Sequence, residues 1–417
     1  MNETKLSEIT YNLNFGIQVD LNHPMPIINK IDTRFYHSYI LGKTGMGKSV
    51  LIERMIANDI KQGVSVIMID PKGESCKRIY KLFNGEKLKY VSIKRPIVIN
   101  PLNRRETDID TTIAEFVQIL DILITLTASN PESTVLMREI VGMALRTFNK
   151  DQKNLSYLVD FLLYPDVRNR HLEQISNPAH KKYWIEFDIT DKPFPRNREK
   201  IESAKRLASR LIEISEGSMR LIVEGENELY INELVERGES LLVDTSKMTR
   251  TSRIYLSNLI VYSVLSYCEY YEGKTKPLII YVDEFQTVVS PLFTELLARS
   301  RGKKVGFVLA HHDFKELSEK VISSILGNAN TIIVFRCGLD ESETMAKFFG
   351  IPSKDLLNLD DYHAWVRIGN KNTLVETLPP IMEEVPDLLP NIEEFKDKEK
   401  TTEDIEHFFL SDKWIMV

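Results

Sequence analysis

The stretch "HSYILGKTGMGKSVLIERMIANDIKQGVSVIMID", His37 to Asp70, decides the fold. "HSYIL" reads as a short apolar strand and is followed by a glycine-rich loop. The next segment places Leu51, Ile52, Met55, Ile56 and Ile60 on one helical face, and Gly63 stops it. "VSVIMID", Val64 to Asp70, is a nearly continuous apolar strand. Strand, loop, helix and strand in this order make a βαβ unit. Such a unit predicts an α/β fold with a mainly parallel sheet covered by helices.

The loop itself, "GKTGMGKS", satisfies G-x-x-x-x-G-K-[ST]. Its glycines let the backbone curl so that successive N–H groups face phosphate oxygens. The helix that follows adds its positive amino end. The expected binding set is Gly42, Lys43, Thr44, Gly45, Met46, Gly47, Lys48, Ser49 and Val50. Within it, Lys48 is expected on the β- and γ-phosphates of ATP, and the Ser49 hydroxyl on Mg²⁺.

A phosphate loop needs a second carboxylate for the metal, and hydrolysis needs a group to polarise water. "LIIYVDE" supplies both at the end of an apolar strand, Leu278 to Val282. Strand carboxyl ends face the ligand crevice in open α/β sheets. Asp283 is the expected Mg²⁺ ligand, and Glu284 the expected catalytic carboxylate. "IDPKGE", Ile69 to Glu74, also ends a strand. Asp70 is either a site residue or part of a simple Asp-Pro turn. Lys72 and Glu74 read equally well as surface charges.

From about Thr111 to Leu221 the periodicity is helical, with few strand signals. Strand-like segments return at 240–246, 277–284, 305–310 and 330–338. The expected organisation is an N-terminal segment 1–31, a first part of the nucleotide domain 32–108, an all-helical insertion 109–225, a second part 226–380, and a tail 381–417. The net charge of −6 is uneven. Glu383 to His407 carries ten acidic residues and three lysines, which leaves the rest close to neutral. A local basic patch for DNA is therefore compatible with the composition. Cys76, Cys268 and Cys337 are far apart and lack metal-ligand spacing, which points to reduced thiols and a cytoplasmic setting. No apolar run has the length of a membrane span, and the first residues lack the order of a secretion signal.

Taken together, "HSYILGKTGMGKSVL", "IDPKGE", "YVDEFQ" and "GNANTIIVFRCG" resemble the HerA/FtsK superfamily of RecA-like P-loop ATPases. The closest branch is the coupling proteins of conjugation and type IV secretion. The resemblance implies a RecA-like P-loop NTPase core with an all-helical inserted domain, and a homo-hexamer with ATP between subunits and DNA in a central channel. It implies an ATP-driven translocase of single- or double-stranded DNA. A HerA-like packaging or anti-phage motor, a nucleotide-dependent scaffold and a protein-secretion ATPase stay open as alternatives. Relaxase, secretion-channel or capsid partners would contact the helical domain or the acidic tail. Conjugative members usually carry a membrane anchor, whereas here about 30 residues precede the nucleotide domain. The expected location is cytoplasmic, or peripheral at a membrane-bound secretion complex.

In such rings an arginine from one subunit completes the neighbouring site. Arg301 fits that arrangement, with Arg299 as its near alternative and Arg336 in "VFRCG" as a second candidate. The family often has a glutamine γ-phosphate sensor after the strand that follows the acidic pair. Here that position falls on His312, whose charge can change near neutral pH. DNA contacts are expected from exposed basic residues of the insertion and from loops near Arg104 and Arg105.

Overall fold

The computed structural model describes residues 12–18, 26–102, 109–127, 133–190, 197–290, 293, 296–297, 299–378 and 380. The chain begins with strands β1 (Asn12–Gln18) and β2 (Pro26–Lys30) and a short helix α1 (Ile31–Arg34). The βαβ unit follows as β3 (Ser38–Leu41), α2 (Lys48–Lys61) and β4 (Ser65–Asp70), then α3 (Glu74–Leu82) and β5 (Leu88–Val91).

Helices then run in succession. They are α4 (Ile109–Thr127), α5 (Ser133–Leu145), α6 (Leu155–Leu163), α7 (Pro165–Leu172) and α8 (Pro178–Phe187). After them come α9 (Asn197–Ser215), α10 (Gly217–Val223) and α11 (Ile231–Arg237). The chain returns to the sheet with β6 (Ser240–Asp244), α12 (Arg250–Tyr270), β7 (Leu278–Val282) and β8 (Val305–His311). It finishes with α13 (Glu319–Asn328), β9 (Thr331–Val334), α14 (Leu339–Phe349), α15 (Ser353–Leu357), β10 (His363–Ile368) and β11 (Lys371–Thr377).

The eleven strands among the described residues form one sheet, in the order β2-β1-β11-β10-β9-β3-β8-β7-β4-β6-β5. From β9 to β5 every neighbouring pair is parallel. The β10–β11–β1–β2 extension is antiparallel and joins antiparallel to β9. One strand, β8, separates the phosphate-loop strand β3 from β7, which carries the acidic pair.

The alternation of side chains along each strand splits the core in two. Ile40, Val66, Met68, Ile279 and Tyr281 pack under α2 and α3. Tyr39, Leu41, Ile67, Ile69, Ile280 and Val282 join the opposite core, which runs through α12 into the inserted helices. Helix α12 is buried on nearly every side, including Leu256, Ser257, Asn258, Leu259, Ile260 and Val261. It is the floor on which the insertion stands, and its lack of a polar face follows from covering on both sides. Within the insertion, Trp184 meets Phe161 edge-on at 4.7 Å. Arg168 is buried, donates to the carbonyls of Phe161 and Leu162, and pairs with Asp188.

Two buried polar groups fix β3 and α2 against the rest of the sheet. Arg34 forks onto both Asp59 oxygens at 2.5 and 2.6 Å, and the Tyr281 hydroxyl donates to Asp59 at 2.5 Å. His37, in the left-handed region at φ 62°, donates from Nε2 to the Leu297 carbonyl at 2.8 Å. Its Nδ1 accepts from the Phe307 N–H at 3.2 Å. Burial pushes His37 down to about 4, so the folded ring stays neutral where an unfolded one is already charged.

The unfolded state therefore binds the extra proton between pH 4 and 6.5, and His37 makes folding less favourable as pH falls through that window. Urea unfolding at pH 7.5 and 5.5 should show a smaller acid-side loss for His37→Gln than for the parent. The difference between the two pH values should total roughly 1 kcal/mol. An equal loss in both would remove His37 as its source.

Candidate functional site

Four strand ends deliver the site. The loop after β3 wraps Gly42 to Gly47 around the amino end of α2, with Gly45 at φ 84° and Gly47 at φ 112°. The Lys43 N–H donates to the Arg336 carbonyl at 2.8 Å, so the strand end after β9 braces the loop. Tyr362, just ahead of β10, donates its N–H to the Met46 carbonyl at 3.1 Å. Its ring lies so close that a Cβ on Gly47 would stand 2.9 Å from the Tyr362 Cδ1. Gly42 likewise has no room for a side chain, because its Cβ would meet Phe335 at 2.6 Å. One cavity is lined by Thr44, Gly45, Gly47, Lys48, Ser49 and Val50 of the loop and helix, and by Lys72, Glu284 and Tyr362. Wider clefts exist elsewhere among the described residues, but they gather neither a phosphate loop nor an acidic pair.

Lys48 is buried and donates to the carbonyls of Gly42 at 2.5 Å and Lys43 at 2.9 Å. Burial lowers its pKa, and the nearby Asp283 and Glu284 work in the other direction. The Ser49 hydroxyl donates to Asp283 Oδ2 at 3.0 Å. Asp283 is buried, and burial raises its pKa, against the lowering effect of the Ser49 hydrogen bond. A hydroxyl and a carboxylate at this separation suit Mg²⁺, which takes few protein oxygens and completes its shell with phosphate and water. Among the described residues no group of three His, Cys, Asp or Glu could hold a metal.

Glu284 stands at φ 49° and ψ 48°, a strained setting for a residue with a side chain. Its N–H donates to Asp283 Oδ1 at 3.0 Å, and its carbonyl accepts from the Thr287 N–H and hydroxyl. These bonds aim the carboxylate into the cavity. Oε1 accepts from the Lys72 ammonium at 2.5 Å. Oε2 accepts from Gln286 Nε2 at 2.7 Å and from His312 Nδ1 at 3.0 Å. Burial alone would raise Glu284, but Lys72, Gln286 and His312 outweigh it and bring the group down to about 2.

The sequence-expected residues fall into three places. Lys48, Ser49, Asp283 and Glu284 converge with the loop. His312 joins through Glu284, rather than lining the phosphate cavity, with its Nε2 3.6 Å from Glu316. The side chains of the arginines are engaged elsewhere, although the Arg336 carbonyl braces the loop. Arg336 bonds Asp361 at 2.7 Å and the Leu359 carbonyl at 3.1 Å. Arg301 precedes the amino end of β8, with its guanidinium 3.4 Å from the centre of the Tyr36 ring. Arg299 pairs with Glu269. Arg104 and Arg105 and the acidic tail lie outside the described residues.

Asp70 resolves into a structural role. Burial pushes it up to about 6, while its carboxylate accepts from the N–H groups of Lys72 at 2.9 Å and Cys76 at 3.0 Å. It folds the turn that delivers Lys72 to the cavity, although that residue's local sequence is that of a surface charge. The signal available was its place just past a strand's carboxyl end, the edge where the ligand crevice of an open α/β sheet lies. Tyr362 carried no such signal, since nothing local marks a tyrosine that far along the chain as a neighbour of Gly47.

The family profile for the helicase HerA central domain, DUF87, matches residues 29–264. No curated protein matches the chain in sequence. Among solved structures, plasmid coupling protein TrwB in complex with ADP and Mg²⁺ superposes with a TM-score of 0.65 at 15% identity, covering 87% of this chain and 88% of that one. TrwB with the GTP analogue GDPNP gives 0.64 at 15%, covering 88% and 90%. VirB4 of Thermoanaerobacter pseudethanolicus gives 0.59 at 14%, covering 89% and 97%. At these identities the likeness is one of fold, the RecA-like arrangement with helices inserted.

Gly73, in the Lys72 turn, has φ 74°, and a Cβ there would stand 2.2 Å from Asp244 Oδ1. Gly63 has nearly the same φ, 78°, and open space around it. Gly73→Ala should therefore lose about 1–3 kcal/mol more stability than Gly63→Ala, measured by urea unfolding. Equal losses would mean that Asp244 gives way freely.

Proposed function

The chain belongs to the helicase HerA central-domain family, and from that premise we propose that it is a Mg²⁺-dependent ATPase whose hydrolysis moves DNA in conjugative transfer or type IV secretion. The observation that carries the reading is the convergence of Lys48, Ser49 and Glu284 on one cavity, with Asp283 bonded to the Ser49 hydroxyl beside it. The TrwB structures with ADP and Mg²⁺ and with GDPNP support a nucleoside triphosphate as the ligand. The coupling-protein likeness of the fold supports the conjugation and secretion setting. No helix among the described residues is long and apolar enough to cross a membrane.

In this reading the backbone N–H groups of Gly42 to Val50 cradle the phosphates, and Lys48 leaves the Gly42 and Lys43 carbonyls for the β- and γ-oxygens. Ser49 and Asp283 hold Mg²⁺, which supplies charge neutralisation across the phosphate oxygens. Glu284 orients and polarises the attacking water, and His312 steadies it at Oε2. Arg301 supplies charge to the phosphate of a neighbouring copy in a homo-hexamer. Its position at the amino end of β8, opposite the carboxyl-end site, supports a role in trans. Arg336 sits close to its own loop, which favours a role within one subunit or at its rim. The nucleotide domain, residues 32–108 and 226–380, is split by the all-helical insertion 109–225.

Lys48→Ala should abolish binding of a fluorescent nucleotide. Glu284→Gln should retain binding and lower the phosphate-release rate on the order of 10²–10⁴-fold. Activity that survives either change would remove the site assignment. ATPase rates with single-stranded and with double-stranded DNA test the cargo. Stimulation by one of them is expected, and none by either would shift the reading to a protein-secretion motor or a scaffold.

Arg301→Ala should cost on the order of 10³-fold in rate. Mixing it with Glu284→Gln subunits should restore part of that rate, because some interfaces then pair an intact carboxylate with an intact arginine. No recovery in mixed assemblies would sink the trans role.

A further inference from the structure

The turn "DPKG", Asp70 to Gly73, is built with more care than a surface loop needs. Its base is fixed by the buried Asp70 carboxylate, which accepts two backbone N–H groups. Gly73 packs where a Cβ would strike Asp244, and Asp244 is itself held by the Tyr90 hydroxyl at 2.7 Å and the Ser246 N–H at 2.9 Å. The tip is different. The Lys72 side chain is 50% exposed, yet its ammonium points inward to Glu284 Oε1 at 2.5 Å and lines the phosphate cavity. A fixed base with a half-exposed cationic tip suits a group that changes partners.

Glu284 makes the other half of the argument. Lys72, Gln286 and His312 together occupy both of its oxygens. Three of its roughly four acceptor positions are therefore taken, and an attacking water competes with these donors. Release of one donor on arrival of the triphosphate would free the carboxylate for that water. Lys72 is the one of the three partners that also lines the phosphate cavity. A lysine suits the exchange, being a compact charge on a flexible stem that needs no planar docking.

We propose that Lys72 is a γ-phosphate-responsive latch on Glu284. Its ammonium holds the carboxylate in the conformation described here. A triphosphate at the loop competes for that ammonium and frees Glu284 for water, whereas a diphosphate lacks the competing oxygens. The proposal rests on the nucleotide reading above and adds to it a positioning residue that distinguishes ATP from ADP.

Affinities of the full chain for fluorescent ADP and for a non-hydrolysable ATP analogue, both with Mg²⁺, test it. Lys72→Met should weaken the analogue on the order of tenfold and leave ADP within about twofold. Glu284→Gln should strengthen the analogue several-fold by freeing the lysine, and in the double variant that gain should vanish. Circular dichroism of each variant guards against misfolding. If Lys72→Met changes ADP and analogue alike, or if the Glu284→Gln gain persists without Lys72, the latch is wrong while the nucleotide site stands. If the parent chain binds neither nucleotide, the ATPase reading falls and the latch falls with it.

Discussion

Parallel pairing is the constraint on which the rest depends. It forces β3, β8, β7 and β4 to end on the same edge of the sheet. Each then contributes one polar piece there: the phosphate loop, His312, the Asp283–Glu284 pair and Lys72. The strand bodies are buried on both faces, so polar groups are tolerated only past the last apolar residue. The chemistry sits at the strand ends because the core leaves nowhere else for it.

Registration along that edge needs more than ladder hydrogen bonds. The buried Arg34–Asp59–Tyr281 cluster links α2, the helix that carries Lys48 and Ser49, to β7, the strand that carries Asp283. Both charged partners are about 1% exposed. Removing one would leave an uncompensated buried charge, at a cost of about 3–5 kcal/mol, whereas an apolar replacement of the whole cluster could be neutral. Its value therefore lies in fixing the position of α2 against β7, and with it the 3.0 Å contact between Ser49 and Asp283. Tyr362 and the Arg336 carbonyl do the same for the loop from the other side of β3.

The βαβ unit, the parallel sheet and the loop–carboxylate pairing were legible because each is a local pattern with a single physical reading. Apolar runs bounded by glycine or acid define the strands, and the phosphate loop constrains its own context. What stayed hidden depends on distant packing. Lys72 looked like any turn lysine, since its partner is 212 residues further along the chain. Asp70 looked equally suited to catalysis, and only its two backbone donors assign it to the turn. The antiparallel extension was out of reach for a related reason. β1 pairs with β11 across almost the whole chain, and no short-range signal encodes that pairing.

Strand β8 joins the two ends of the proposed mechanism. Seven residues from Val305 to His311 span roughly 20 Å at the rise of an extended strand. His312 touches Glu284 at the carboxyl end, and Arg301 lies before the amino end. No rotation of an arginine side chain covers that distance, so Arg301 cannot serve the site of its own chain. If it acts in phosphoryl transfer, it acts on a neighbour. The basic cluster before β8 and the histidine after it are the two ends of one buried strand, on opposite edges of the sheet.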